Sequence, residues 1–205
     1  MSIDAVVFDI GNVLIEWVPE RFYDRVIGPE RRRAMFADVD LHAMNEEIDI
    51  GASFQKTVYD CAARYPQWQS EIRMWHDNWL ELAAPEIPVS VACLRALRAR
   101  GMPVFALSNF GIGTFELAET AYPFLTEFDR RFISGYLSHI KPHARIYEIL
   151  ETDSGIAPDT LLFADDRADN IAAAHGRGWQ THLFTTPDGW QDRLVSEGLL
   201  QGPVA

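Results

Sequence analysis

Three times in this chain a short apolar run stops at a polar residue. Ala5-Val6-Val7-Phe8 ends at Asp9, Pro103 to Leu107 at Ser108-Asn109, and Thr160 to Ala164 at Asp165-Asp166. Short apolar runs bounded by turn residues predict buried strands. Arg131–Ser134 and Trp179–Phe184 read as two more. Between the strands the spacing turns helical. Val89, Ala92, Cys93, Ala96 and Leu97 form one stripe, closed at Arg100-Gly101, and Ile146, Tyr147 and Leu150 form another. Asn170–His175 and a last stretch through Trp190 and Leu194 are also helix-like. Such alternation predicts an α/β fold, a parallel sheet with helices on both faces. In that architecture ligands bind beyond the carboxyl ends of the strands. The three terminal polar groups, far apart in sequence, are thereby directed to one edge.

From Pro19 to about Pro88 no strand is predicted. Glu30–Phe36 and Asp40–Ile48 read as short helices, and Trp68–Leu82 as a longer one. Phe54, Val58, Cys61, Ala62 and Tyr65 make an apolar stripe behind Ser53, a plausible N-cap. The segment reads as an all-helical insertion the size of a small bundle. The expected division is therefore a core of residues 1–18 and 89–205 with an insertion of 19–88. Trp75 and Trp79 are expected to pack the insertion, whereas Trp17, with Glu16 beside it, is placed at the entrance to the site. His42, His76 and Arg33 are read as surface residues.

Composition narrows the function. The formal net charge of −12 argues against nucleic-acid binding, which depends on Lys and Arg neutralising phosphates. No apolar run approaches the roughly 20 residues that span a bilayer, and the first eight residues carry no basic group. A cytoplasmic chain without signal peptide or membrane contact is expected, as a monomer or homodimer. Cys61 and Cys93 then read as reduced core residues.

The residues at the sheet edge are chemically complementary. Asp9, Asp165 and Asp166 would repel one another unless a cation lay between them. Oxygen-only ligands suit Mg²⁺, which commonly takes one or two carboxylates together with a substrate phosphate. Lys141, held out of helix by Pro142, adds a point cation for that phosphate. Ser108 and a nearby backbone N–H can bind phosphate oxygens. Asp9 then becomes a nucleophile that attacks phosphorus. Each residue also has an ordinary reading, as a turn former, a cap or a surface lysine. Their order and common placement favour a site for a small phosphorylated metabolite.

These residues resemble the four motifs of the haloacid dehalogenase-like hydrolase superfamily. Val6-Val7-Phe8-Asp9 resembles motif I, Leu107-Ser108-Asn109 motif II, Lys141-Pro142 with Arg145-Ile146-Tyr147 motif III, and Phe163-Ala164-Asp165-Asp166 with Asn170-Ile171 motif IV. The resemblance implies a Rossmann-like core, a helical cap in the inserted segment, Mg²⁺ dependence and phosphate-monoester hydrolysis through an aspartyl-phosphate. It implies Asp9 and Lys141 as catalytic, Ser108, Asn109 and Lys141 as phosphate-binding, and Asp9, the Gly11 backbone, Asp165 and Asp166 as metal ligands. The Asp-x-Gly-Asn-Val form of motif I is similar to that of bacterial sugar-phosphate (α-glucose-1-phosphate) phosphatases.

One position departs from the family. Its phosphatases usually carry a second aspartate two residues after the nucleophile, as general acid and base. Here that position is Gly11. General acid–base help is typically worth about 10²–10⁴ in rate. The chain must therefore be slow, use a good leaving group such as a sugar 1-phosphate, or employ another proton donor, for which Asn12 and Glu16 are neighbours in sequence. Gly11 also keeps open metal-free dehalogenation of 2-haloacids by the same nucleophile, against which the acidic pair counts. A non-catalytic phosphate- or partner-binding domain is the third reading.

Overall fold

A computed structural model describes residues 2–204, so the expected domain ends at 1 and 205 lie just outside. The chain forms an α/β fold around a five-stranded parallel sheet. In chain order the strands are β1 (Ala5–Phe8), β2 (Ile15–Trp17), β3 (Ala83–Glu86), β4 (Val104–Ser108), β5 (Arg130–Ile133), β6 (Leu161–Asp165) and β7 (Gln180–Leu183). The main sheet runs β5-β4-β1-β6-β7. The chain builds outward from β1 through β4 to β5, then returns to the other side of β1 for β6 and β7. That reversal is the topological switch point at which open α/β sheets bind ligands.

Alternation along the strands divides the core. Val6, Phe8, Val104, Ala106, Leu162 and Ala164 face one side, with Leu94, Trp190 and Leu194 packed over them. Ala5, Val7, Phe105, Leu107, Leu161 and Phe163 face the other, beneath Ile146, Tyr147 and Trp179. This is the period-two pattern of a strand buried on both faces. Each fully buried Val, Leu or Phe contributes roughly 1.5–3 kcal/mol. Helices Ile112–Ala121, Ala144–Ser154 and Ala168–Gly176 make the crossovers from β4 to β5, β5 to β6 and β6 to β7.

The segment between β2 and β3 is helical. Its helices are Pro19–Val26, Pro29–Asp38, Leu41–Asp49, Phe54–Arg64, Gln69–Asp77 and Trp79–Leu82. Three sequence expectations need correction here. The stretch Trp68–Leu82 is not one helix, because it breaks at Asn78. Ser53 precedes a helix, but its side chain makes no capping bond, whereas Asp40 does cap the next helix back, accepting from Ala43 N at 2.9 Å. The segment also ends in a strand: Ala83–Glu86 pairs antiparallel with Ile15–Trp17. Its Ala-Ala-Pro-Glu sequence has little intrinsic strand preference, so pairing with β2 decides its conformation. Cys61 and Cys93 are free and buried. Among the described residues, no helix is long and apolar enough to cross a membrane.

Candidate active site

Strand β1 is flanked by β4 and β6, so the carboxyl ends of these three strands lie side by side. Phe8 is level with Ala106 on one side and Ala164 on the other. Asp9, the next residue, is anchored by its own N–H to the Ala164 carbonyl at 2.9 Å. The residue is buried, 6% exposed. Three donors converge on Oδ1: Ile10 N at 2.7 Å, Ser108 Oγ at 2.6 Å and Lys141 Nζ at 2.9 Å. They fix the carboxylate and leave Oδ2 as the oxygen that can react. Burial pushes the Asp9 carboxyl up to about 7 against the pull of Lys141, and Asp165 adds to the rise.

Lys141 is 2% exposed. Its ammonium donates to the Leu107 carbonyl at 2.8 Å and to Asp165 Oδ2 at 2.6 Å, besides facing Asp9. Its three protons are thus all engaged. Burial disfavours the charge, but Asp165 and Asp9 outweigh burial and raise the pKa. Asn109 clamps the Lys141 main chain from both ends of its carboxamide: Nδ2 donates to the carbonyl at 3.0 Å and Oδ1 accepts the N–H at 2.8 Å. Asn109 therefore positions the lysine, while the second Nδ2 proton is still available as a donor. Asp165 is fully buried, and both its oxygens accept from Asn170 Nδ2 at 3.0 Å. Its Oδ1 also accepts from Arg167 N at 2.8 Å.

Asp166 is more open. Its Oδ2 accepts from Asn12 Nδ2 at 2.9 Å, and burial raises its pKa. Asn12 holds a left-handed backbone, φ 55°, and its Oδ1 accepts from Trp17 N at 2.8 Å. Asn12 thereby ties the turn after β1 to both the acidic pair and β2. Oxygens of Asp9, Asp165 and Asp166 lie within 4.8 Å of one another. Three hard oxygen donors at this spacing fit a small divalent cation, which would relieve their mutual repulsion.

A cavity of about 650 Å³ opens over these groups, lined by Asp9, Gly11, Asn12, Ser108, Lys141 and Asp166 among others. Trp17 lies on its wall and also packs edge-on against Trp75, with ring centroids 5.6 Å apart. It belongs both to the cavity and to the aromatic packing of the helical segment. Glu16 does not join them. It precedes Trp17 on β2, is half-buried and pairs with Arg21. At Gly11 an added Cβ would meet nothing nearer than Trp17 Cβ at 3.9 Å. Sterics therefore do not require glycine there.

The sequence reading overlooked one wall of the cavity. Helix Leu41–Asp49 contributes His42, Asn45, Glu46 and Asp49, and its N-cap Asp40 lies there as well. His42, read as a surface residue, is exposed and also borders this wall. His76 and Arg33 are not on this wall. The signal was present: His42, Asn45, Glu46 and Asp49 follow i, i+3, i+4, i+7 spacing, a polar stripe flanking buried Leu41, Met44 and Ile48. From the core, His143 and Arg167 complete the outer lining.

Fold and site together define an α/β protein in which a buried aspartate, a lysine and an acidic pair meet at the carboxyl edge of the sheet. Residues 3–178 match the haloacid dehalogenase-like hydrolases, and the chain belongs to that family of hydrolases. Among solved structures it is similar to a HAD family enzyme from Bacteroides thetaiotaomicron. The TM-score is 0.73 at 20% identity, covering 95% of this chain and 99% of that one. A structure of that enzyme in complex with magnesium and inorganic phosphate gives 0.67 at 20% identity, covering 90% and 95%. L-2-haloacid dehalogenase from Xanthobacter autotrophicus, with chloropropionic acid covalently bound, gives 0.60 at 17% identity, covering 97% and 84%. At these identities the likeness speaks for the fold. A curated relative, drimenol cyclase from Aspergillus calidoustus, is 28% identical over 200 residues, which is 94% of this chain and 36% of that protein. The chain thus spans about a third of the length of the curated relative it matches.

Proposed function

We propose that this chain is a divalent-metal-dependent phosphatase of small phosphorylated metabolites, acting through an aspartyl-phosphate at Asp9. One observation carries the reading: three donors hold Asp9 Oδ1, while Oδ2 is left toward a polar cavity that also contains Asp166 and Ser108. Asp9 Oδ2 attacks phosphorus as the ester oxygen departs, and water then releases phosphate from Asp9. Lys141 keeps the nucleophile ionised and adds positive charge beneath the phosphoryl group. Asp9, Asp166 and the Gly11 carbonyl would hold Mg²⁺, with Asp165 close behind. Bound there, the ion neutralises phosphate oxygens and lowers the pKa of Asp9.

On this reading, residues 19–88 act as a cap on a core of 1–18 and 89–205, and the helix Leu41–Asp49 selects the leaving group. An acceptor at Glu46 and donors at His42, His143 and Arg167 suit a polyhydroxylated leaving group. A sugar phosphate has that character, in keeping with the Asp-x-Gly-Asn-Val form of motif I.

The test is phosphate release from a panel of sugar and nucleoside phosphates with Mg²⁺. Asp9→Asn should abolish turnover and leave the circular dichroism spectrum unchanged. Full activity in Asp9→Asn, or undiminished activity in EDTA, sinks the proposal. The dehalogenase reading has Gly11 in its favour and Asp166 against it, since an acid in the cavity repels a haloacid carboxylate. A halide electrode with 2-chloropropionate separates the two.

A further inference from the structure

We propose that Asp49, carried by the helical segment and not by the core, is the proton donor to the leaving group. The inference rests on the phosphatase reading above and fills the role that Gly11 leaves open.

Asp49 lines the same cavity as Asp9, Ser108 and Asp166. It also borders a small adjoining pocket of about 30 Å³ walled by Trp17, Trp79 and Phe110. A carboxyl against aromatic walls and across a cavity from a second carboxylate is shifted toward its protonated form. Burial pushes its pKa from the usual 3.8 up to about 7. Hydrogen bonds from the Gly111 backbone and the Asn45 carboxamide oppose the rise, while Glu46 on its own helix and Asp9 across the cavity reinforce it. His42, Lys141, His143, Asp166 and Arg167 are the other charged or titratable groups around the cavity besides Asp40. The helix Phe54–Arg64, packed on the same element, keeps Lys56, Asp60 and Arg64 exposed.

The position is built. Asn45 Oδ1 accepts from the buried Trp75 indole at 3.2 Å, which turns its Nδ2 toward Asp49 Oδ2 at 2.9 Å. The Asp49 carbonyl accepts from Ser134 Oγ at 2.6 Å, and that hydroxyl in turn accepts from Phe110 N at 2.8 Å. Core residues thus register the end of this helix against the loop that follows Ser108. The competing acids are less suited. Asp40 is occupied as a helix cap, Glu46 is exposed, and Glu16 is paired with Arg21 outside the cavity.

The step balances. As Asp9 Oδ2 bonds to phosphorus, the ester P–O bond breaks with its electron pair on oxygen, and the Asp49 proton passes to that oxygen. Water then attacks phosphorus and gives a proton to the Asp49 carboxylate. The Asp9–phosphorus bond breaks, its pair returns to the Asp9 carboxylate, and inorganic phosphate leaves.

The experiment compares glycerol 2-phosphate, whose alkoxide needs a proton, with p-nitrophenyl phosphate, whose phenolate does not. Leaving-group release is measured in a single turnover with Mg²⁺. Asp49→Asn should slow glycerol release by about 10²–10⁴-fold and leave p-nitrophenolate release within a few-fold. Gly11→Asp, at a position where a Cβ meets nothing nearer than 3.9 Å, should restore glycerol release in the Asp49→Asn background. Partial unfolding lowers both rates alike, so the ratio between substrates is the readout. Equal losses on both substrates, or no rescue by Gly11→Asp, overturn the assignment of Asp49 alone. If the unaltered protein releases neither alcohol, the phosphatase reading falls and takes this inference with it.

Discussion

At the scale of single residues, the site is governed by a buried charge balance. Lys141 lies between Asp9 and Asp165, and almost no water reaches the three of them. Breaking such a group by removing one partner typically costs about 3–5 kcal/mol, because it strands the charges that remain. Lys141→Met should therefore be strongly destabilised at neutral pH, as well as inactive. The sign of its pH dependence follows from linkage. Lys141 holds the Asp9 pKa down, so without it the folded-state pKa moves further above that of the unfolded chain. A carboxyl with a raised folded pKa favours the native state at low pH and weakens it as pH rises through that value. The stability gap between Lys141→Met and the parent protein should thus be smallest near pH 4 and widen towards pH 8. Urea denaturation in EDTA at the two pH values measures it, and a gap independent of pH would mean that the carboxylates are not the cause.

At the scale of elements, the helix Leu41–Asp49 reaches the core because glycine allows it. A Cβ on Gly111 would clash with Ile48 Cγ2 and stand 3.0 Å from the Ile48 carbonyl. Gly111→Ala should push the helix away from the loop after β4, at about 1–3 kcal/mol, and slow turnover on polar substrates by moving Asp49 and its neighbours. Thermal denaturation and a substrate panel check both effects, and an Ala variant with parental stability and rates would mean that the contact is not tight. The same helix marks where sequence reasoning stopped. Strand ends were legible, because an apolar run closing on Asp9, Ser108 or Asp165 carries its own signal, and a parallel sheet gathers those ends. The polar stripe from His42 to Asp49 was readable as a pattern, but which side of the sheet edge it would meet depends on how the helices pack between β2 and β3. Strand β3 was not legible at all, since Ala83-Ala84-Pro85-Glu86 becomes a strand only by pairing with β2. That Asn109 also clamps the Lys141 main chain was not legible, because the two residues meet only through the fold.

At the scale of the whole molecule, the acidic cluster couples metal binding to folding. Asp9, Asp165 and Asp166 converge from the carboxyl ends of β1 and β6, so the cluster exists only once the central sheet has formed. The unfolded chain offers no such site, and an ion that binds only the folded form stabilises it by RT ln(1 + [L]/Kd), about 2.7 kcal/mol at a hundredfold excess over Kd. For a chain of this length that corresponds to roughly 5–10 °C in Tm, at about 2–4 °C per kcal/mol. Mg²⁺ should therefore raise Tm over EDTA by that order. Asp166→Asn should lose the increment, because it removes the most open of the three carboxylates while keeping a side chain of the same shape. Glu16→Gln should retain it in full, since Glu16 lies outside the cavity and is paired with Arg21. Calorimetry in Mg²⁺ and in EDTA measures all three proteins without reference to any substrate, so the result bears on the metal site even if the physiological ester is never found. An increment that survives Asp166→Asn would place the ion elsewhere, and with it the argument that the acidic pair exists to hold a cation beside Asp9.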